Sequence, residues 1–266
     1  MTTAKKTEGS VSALCKRLLG ALLLAGLSLP AAAAPIVYMT GTGNPWGLSS
    51  GPGSNEYAMD AAFGSGNWTK YQGFTMSAFA PDTKFLFLEG GDSQANQFSS
   101  FLTTNQTAIQ NFVSGGGAIF LNAAPNQGGS FSMGFGVTLT YPDFGGAHSA
   151  TATAAGIGTG IFTGIANSYS GTSFSHAHVS DGAAFTSLMN DGSGDSVLGA
   201  MNFGSGFATF GGLTLPVFHN PDPDSDILRA RILGYVAGQA NDVPEPGTLF
   251  LLGAGMLAGA LRRRSS

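Results

Sequence analysis

Two runs decide the fold: Lys84-Phe-Leu-Phe-Leu-Glu-Gly-Gly-Asp92 and Ser114-Gly-Gly-Gly-Ala-Ile-Phe-Leu-Asn122. Phe85 to Leu88 and Ala118 to Leu121 are continuous apolar runs, the pattern of strands buried on both faces. Between them Phe98, Phe101, Leu102, Ile109, Phe112 and Val113 recur at helical spacing, so at about 100° per residue they share one side of a cylinder. Ser114 and Gly115 supply the stop, with Gly115 expected in the left-handed cap conformation. A strand, a helix and a second buried strand form a βαβ unit. The expectation is an α/β fold built on a mainly parallel sheet with a right-handed crossover.

Working outward, the chain has 266 residues, of which 41 are Gly and 10% are charged. Pro35 opens a plausible first strand through Thr40. Residues 41–55 read as a long Gly, Ser, Asn and Pro loop, in which Gly41-Thr-Gly43 is a turn, and Asn55 to Phe63 as a short helix. Trp68 to Phe79 is aromatic and ambiguous. Ala123 to Gly136 reads as loop, Val137 to Tyr141 as a strand, Ile157 to Ile165 as a Gly-punctuated turn or short helix. Ser175 to Val179 alternates like a strand, and Val197 to Phe203 and Gly206 to Leu215 read as two more. A last helix runs from Asp224 or Ser225, the expected cap, to about Val236. Asp222, Asp224 and Asp226 there complement the helix dipole.

Charge excludes one class of partner. Between Pro35 and Asp242 there are four basic side chains, Lys70, Lys84, Arg229 and Arg231, against thirteen acidic ones, a net −9. That surface repels phosphate backbones, so no nucleic-acid partner is expected. The single cysteine, Cys15, precedes this span. The core therefore has no disulfide, no thiolate zinc site and no cysteine nucleophile.

Both ends read as processing signals. In residues 1–34, Lys5, Lys6, Lys16 and Arg17 precede an apolar run from Leu18 to Leu29, then Pro30 and the small residues Ala31 to Ala34. This is the layout of a secretory signal, removed by signal peptidase. The other end, residues 243–266, reads Val243, Pro244, Glu245, Pro246, an apolar stretch from Leu249 to Leu261, then Arg262, Arg263 and Arg264. Thirteen residues make a helix of about 20 Å against a bilayer core of about 30 Å. That length gives a marginal anchor, with the arginines as a cytoplasmic stop. The two prolines keep the motif before it extended. This tail resembles the PEP-CTERM sorting signal. The resemblance implies a Gram-negative protein held transiently in the inner membrane, processed by an exosortase, and released to the cell surface or matrix in association with exopolysaccharide and biofilm. The layout is thus a signal peptide (1–34), a secreted α/β domain (35–242) and a sorting segment (243–266).

The core itself resembles the class I glutamine amidotransferase-like fold, a three-layer flavodoxin-like arrangement. The resemblance rests on the strand ending in Glu89-Gly90-Gly91-Asp92, the helix leading into Phe112-Val-Ser-Gly-Gly-Gly117, the strand Ala118 to Leu121 and the closing helix Ile227 to Val236. That family sets a nucleophilic cysteine on the turn after the second strand, where this chain has Asn122 and Ala123. Its late His-x-Glu pair is reduced to His219-Asn-Pro-Asp222. The amidotransferase reaction does not carry over, and a fold alone carries no function.

Candidate chemistry is sparse. Glu89 and Asp92 fall at the C-terminal end of a central strand, the edge where open α/β sheets bind ligands, with Asn122 on the neighbouring strand end. A hydrolase would draw its acid and base from Glu89, Asp92 and a histidine such as His219; the alternative is that both acids cap loops. His176 and His178 lie two apart, so on one strand they share a face and, with His148, His219 or Asp181, suit zinc or copper; the alternative is a pair of loop histidines. Asp222-Pro-Asp224-Ser-Asp226 begins like a calcium loop but has Ile227 where Gly is needed and Leu233 where Glu is needed. Asp191-Gly-Ser-Gly-Asp195 reads as a turn. No Gly-x-Ser-x-Gly elbow is present, and no cofactor is expected. A non-enzymatic exported protein is the leading expectation, with exposed aromatics such as Trp46, Trp68 and Tyr71 available to stack on sugars. A secreted hydrolase or metal-dependent enzyme is the alternative.

Overall fold

The computed structural model describes residues 36–126, 129–141, 147–180 and 185–241. The expected signal peptide, the sorting segment and Asp181 lie outside these residues. In chain order the first half runs β1 (Ile36–Thr40), α1 (Asn55–Phe63), β2 (Trp68–Gln72), β3 (Phe85–Glu89), α2 (Ala95–Ser114) and β4 (Ala118–Asn122). The second half runs β5 (Gly129–Gly134), β6 (Val137–Tyr141), β7 (Ala147–Ala152), α3 (Ala154–Gly158), β8 (Ser168–Ser175), β9 (His178–Ser180), β10 (Thr186–Asp191), β11 (Ser196–Phe203), β12 (Gly206–Gly211), β13 (His219–Asn220) and α4 (Asp224–Ala237).

Every residue of β3 and β4 is buried, as their unbroken apolar runs require. Alternate side chains enter two cores. Tyr38, Phe85, Phe87 and Phe120 meet Met59 of α1 and Leu228, Ile232, Leu233 and Val236 of α4 on one face. Val37, Met39, Leu86, Leu88, Ile119 and Leu121 meet Phe98, Phe101, Leu102, Ile109 and Val113 of α2 on the other. The helical stripe lands as its spacing predicts, except that Phe112 is only half-buried. The helix stop is displaced by one residue. Gly115 stays right-handed at φ −78°, and Gly116 takes the left-handed turn at φ 113°.

The expected mainly parallel sheet is instead mixed. Ten strands lie in the order β13-β8-β7-β10-β11-β12-β4-β3-β1-β2. The pairs from β12 through β4, β3 and β1 to β2 are parallel. From β12 outward to β13 every pair is antiparallel. The cause is the supply of crossover helices. Parallel neighbours need a long connection, usually a helix. α1 and α2 provide one each in the first half, but between β4 and α4 the one α-helix among the described residues is α3, five residues long. Short turns such as Asp191–Asp195, where the Asp191 carboxylate accepts the N–H groups of Ser193 and Asp195 at 2.8 and 2.9 Å, yield antiparallel partners. A second sheet of β5, β6 and β9 joins α2 over the same face. β5 occupies part of the span expected to be loop.

The start of α4 also differs from expectation. Its N-cap is Pro223, with no side-chain cap. Asp224 accepts the N–H of Ala166 at 2.7 Å and Asp226 that of Gly53 at 2.9 Å. These acids therefore tie two distant loops to the helix while still lying in its first turn.

Candidate functional site at the strand ends

Register brings Thr40, Glu89, Asn122 and Gly211 side by side, the last residues of β1, β3, β4 and β12. Glu89 Oε1 accepts the N–H of Gly91 at 2.7 Å, and Oε2 accepts from Asn122 Nδ2 at 2.7 Å and Asn55 Nδ2 at 3.4 Å. Asn122 is held in turn by the backbone of Leu213, donating to its carbonyl at 2.8 Å and accepting its N–H at 3.0 Å. A Cβ at Gly211 would meet Asn122 Oδ1 at 2.6 Å, so glycine there makes room for the amide.

Arg229 of α4 completes this cluster, and it is 2% exposed. Its guanidinium donates to Asn55 Oδ1 at 2.8 Å and to the Thr214 carbonyl at 2.6 Å, and approaches Glu89 Oε2 at 3.7 Å. Its donors are thus spent on neutral oxygens rather than on a bidentate carboxylate pair. Burial accordingly prevails, and the Glu89 carboxyl is pushed up to about 7 although Arg229, Asn122, Gly91 and Asn55 all pull it down. Burial likewise lowers Arg229, opposed by Glu89, and raises the Tyr38 phenol. Sequence reasoning missed Arg229. The signal was present: Ser225, Arg229, Ile232, Leu233 and Val236 lie on one helical face, so a cation sits in an otherwise inward stripe.

His219 does not join Glu89. Its Nε2 lies 2.8 Å from Thr214 Oγ1, its ring is 4.3 Å from that of Phe174, and burial with the Arg229 charge lowers its pKa to about 3. Thr214 Oγ1 donates to the Ser173 carbonyl at 2.5 Å, so Nε2 carries the proton toward Thr214. Glu89 and His219 are both buried; Arg229 approaches Glu89 and bonds the carbonyl of Thr214, whose hydroxyl holds His219. His176 and His178 do not share a strand. His176 lies between β8 and β9, with Nδ1 3.2 Å from the Pro125 carbonyl, while His178 opens β9 in the other sheet. His148 bonds the Thr172 carbonyl at 2.8 Å. Among the described residues, no group of three or more His, Cys, Asp or Glu side chains is placed to hold a metal ion.

Asp92 stands apart from the buried cluster. Three non-glycine residues among those described have left-handed φ, and two of them, Trp46 at 50° and Asp92 at 53°, are bonded to each other. Asp92 Oδ2 accepts the Trp46 N–H at 3.3 Å, and Oδ1 accepts from Asn126 Nδ2 at 2.7 Å. Strain of this kind costs about 1–3 kcal/mol per residue and persists where the surroundings enforce it. The Trp46 ring meets His176 at 5.8 Å and Phe218 at 5.7 Å, both near-perpendicular. It also presses on Gly91, where a Cβ would lie 2.9 Å from Cη2. Trp46 therefore covers the strand end above Glu89. Of the other two candidate aromatics, Trp68 is tied through Nε1 to Asp60 at 2.8 Å, and Tyr71 packs against the core.

No curated protein matches the chain. Among solved structures, a β-galactosidase from Bacillus circulans sp. alkalophilus is similar at 16% identity and a TM-score of 0.45, over 88% of this chain and 35% of that one. The chain thus spans about a third of that enzyme's length. A putative GMP synthase protein from Thermoplasma acidophilum matches at 12% identity and a TM-score of 0.45, over 76% of this chain and 95% of that one. A cytoplasmic protein from Salmonella typhimurium matches at 12% identity and a TM-score of 0.45, over 76% and 98%. None of these scores reaches 0.5. At the other end of the chain, residues 242–264 match the family model of the PEP-CTERM protein-sorting motif, which marks an exported protein processed by an exosortase toward the cell surface.

Proposed function

We propose that this chain is a non-catalytic protein of the cell envelope or extracellular matrix of a Gram-negative bacterium, associated with exopolysaccharide. In this reading residues 1–34 are removed by signal peptidase, and residues 35–242 are the delivered α/β domain. Leu249 to Leu261 holds the chain in the inner membrane until exosortase acts at Val243-Pro-Glu-Pro246, with Arg262, Arg263 and Arg264 kept on the cytoplasmic side. The domain is an amidotransferase-like scaffold whose parallel half is kept and whose chemistry is gone.

The observation that carries the non-catalytic reading is the sealing of the strand end. Glu89 is wholly buried, its oxygens engaged by Asn122, Asn55 and Gly91, with Trp46 packed above. A general acid or base must come within hydrogen-bond reach of its substrate, and neither Glu89 nor His219 is open to one. The hydrolase alternative keeps only Asp92, which bonds an amide and a backbone N–H rather than a histidine.

The itinerary is tested by fractionating cells with and without exosortase. The expected result is a shorter chain outside the inner membrane in the first strain and full-length membrane-bound chain in the second. The same mass and location in both would refute it. The non-catalytic reading is tested by assaying the purified protein against glycoside and ester substrates; turnover abolished by Glu89→Gln would refute it.

A further inference from the structure

We propose that the half-buried cluster of Trp46, Asp92, Asn126, His176 and Phe218 is a subsite for a neutral glycan. This deepens the polysaccharide reading and rests on it. The cluster lies just beyond the C-terminal ends of β3 and β4, the ligand-binding edge of an open α/β sheet. All five side chains are neither fully buried nor fully exposed. The Trp46 ring meets those of His176 and Phe218, and its backbone N–H bonds Asp92, to which Asn126 is joined at 2.7 Å. Rings that cover C–H faces, set beside planar hydrogen-bonding groups, are what a pyranose ring requires. The linked left-handed backbone at Trp46 and Asp92 fixes the two kinds of group relative to each other before any ligand arrives.

Charge selects the class of glycan. Asp92 contributes negative charge at the site, and the span from Pro35 to Asp242 carries −9. Of the basic side chains in the described residues, Arg229 is buried, and Lys70 is committed to Glu56 and Asn44 at 2.6 Å each. A uronic-acid polymer would meet like charge without a compensating partner, whereas a neutral hexose polymer would not.

The test uses the full-length protein in detergent with Trp68→Phe, which leaves Trp46 as the sole tryptophan. Titrants are dextran, hydroxyethyl cellulose, alginate and the host's own matrix polysaccharide, read by tryptophan emission and by retardation in glycan-loaded gels. The expected result is a Trp46 emission change and retardation with a neutral polymer and none with alginate. Trp46→Ala and Asp92→Asn should each weaken retardation about tenfold. Asparagine tolerates the left-handed backbone, so Asp92→Asn tests the charge and its bond without unfolding the turn; Phe218→Leu is the second probe if Trp46→Ala fails to fold. Retardation unchanged in every variant would overturn this site and leave the polysaccharide reading standing. Alginate bound in preference to the neutral polymers would overturn the ligand class. No retardation by any of the four polymers would remove the polysaccharide reading and this inference with it.

Discussion

The two halves of the large sheet obey different rules. In the parallel half, β3 and β4 are buried along their whole length and every side chain is apolar until the last residue. In the antiparallel half, β8 reads Ser-Tyr-Ser-Gly-Thr-Ser-Phe-Ser and alternates between exposed and less exposed positions from Ser168 to Ser173. Covering both faces with helices forces one composition, and leaving one face to water permits the other. The two halves meet at β12, parallel to β4 and antiparallel to β11, and the buried polar cluster lies beside that seam. There Asn122 of β4 bonds Glu89 on one side and the backbone beyond β12 on the other. The difference locates the fold's sensitive point: the apolar half tolerates little polarity, and its buried ionisable cluster lies at the strand ends next to β12, the strand at which pairing changes direction.

The seam breaks most severely at Arg229. Arg229→Met removes the cation and leaves Glu89, Asn55 Oδ1 and the Thr214 carbonyl buried without it. Loss of one partner from a buried pair costs about 3–5 kcal/mol. Urea unfolding at pH 8 should show a loss of that order, and at pH 5, where Glu89 holds its proton, a smaller one. Equal losses at both pH values would mean that Glu89 is not the group left uncompensated.

Proton linkage sharpens the same point. Glu89 is raised from 4.5 to about 7, so its contribution is fully present below pH 4.5 and is lost as pH rises through 7. His219 is lowered from 6.5 to about 3, so its contribution is present above pH 6.5 and is lost as pH falls through 3. Between roughly pH 4.5 and 6.5 the two slopes oppose each other. Glu89→Gln should remove the Glu89 slope, and stability of the variant relative to wild type should improve from pH 5 to pH 8. A relative profile that is flat across that range would show that the Glu89 carboxyl is not displaced.

Legibility in the sequence follows this same division. Phe85 to Leu88, Ala118 to Leu121 and the stripe of α2 are readable because burial on both faces, or on one helical face, leaves a strong pattern, and α4 is readable from the acidic residues at its start. β7 and β8 are not, because Ala-His-Ser-Ala-Thr-Ala and its Ser-rich partner carry little apolar contrast. β10 and β5 are lost for the same reason, and the mixed sheet is hidden with them. In the site, Glu89, Asp92 and Asn122 are located by their place at a strand end. What they touch is not legible, since Asn55 and Arg229 lie 34 residues before and 140 residues after Glu89. A contact across that distance is set by the packing of α1 and α4, not by any local pattern. Asp92 and Trp46 are each visible as residue types; their shared strained backbone is not.

If the parallel half is the rigid one, amide exchange should separate the halves. Amides of β3 and β4, paired on both sides and packed from both faces, should exchange near the global unfolding rate. Those of β8 and β13, at the far edge, should exchange at least about tenfold faster through local opening. Uniform protection across all ten strands would make the sheet one cooperative unit and remove the distinction.

The smallest expected effect tests the antiparallel half at a buried aromatic of β8. Tyr169 of β8 is 2% exposed, packs on Phe174 at 5.8 Å, and its hydroxyl is buried without a hydrogen-bond partner among the described residues. Burial and the nearby Asp224 push its phenol well above the usual range against the pull of Arg231, so it stays neutral at any working pH. An unpaired buried hydroxyl has lost its water and gained no bond, so removing it should cost nothing in hydrogen bonding. Tyr169→Phe is therefore expected to leave stability unchanged or raise it by up to about 1 kcal/mol. A loss of about 1 kcal/mol or more in urea unfolding would mean that the hydroxyl has a bonding partner after all. The antiparallel half would then hold one more buried polar contact beside those of Ser175 with the Gly212 carbonyl and His219 with Thr214.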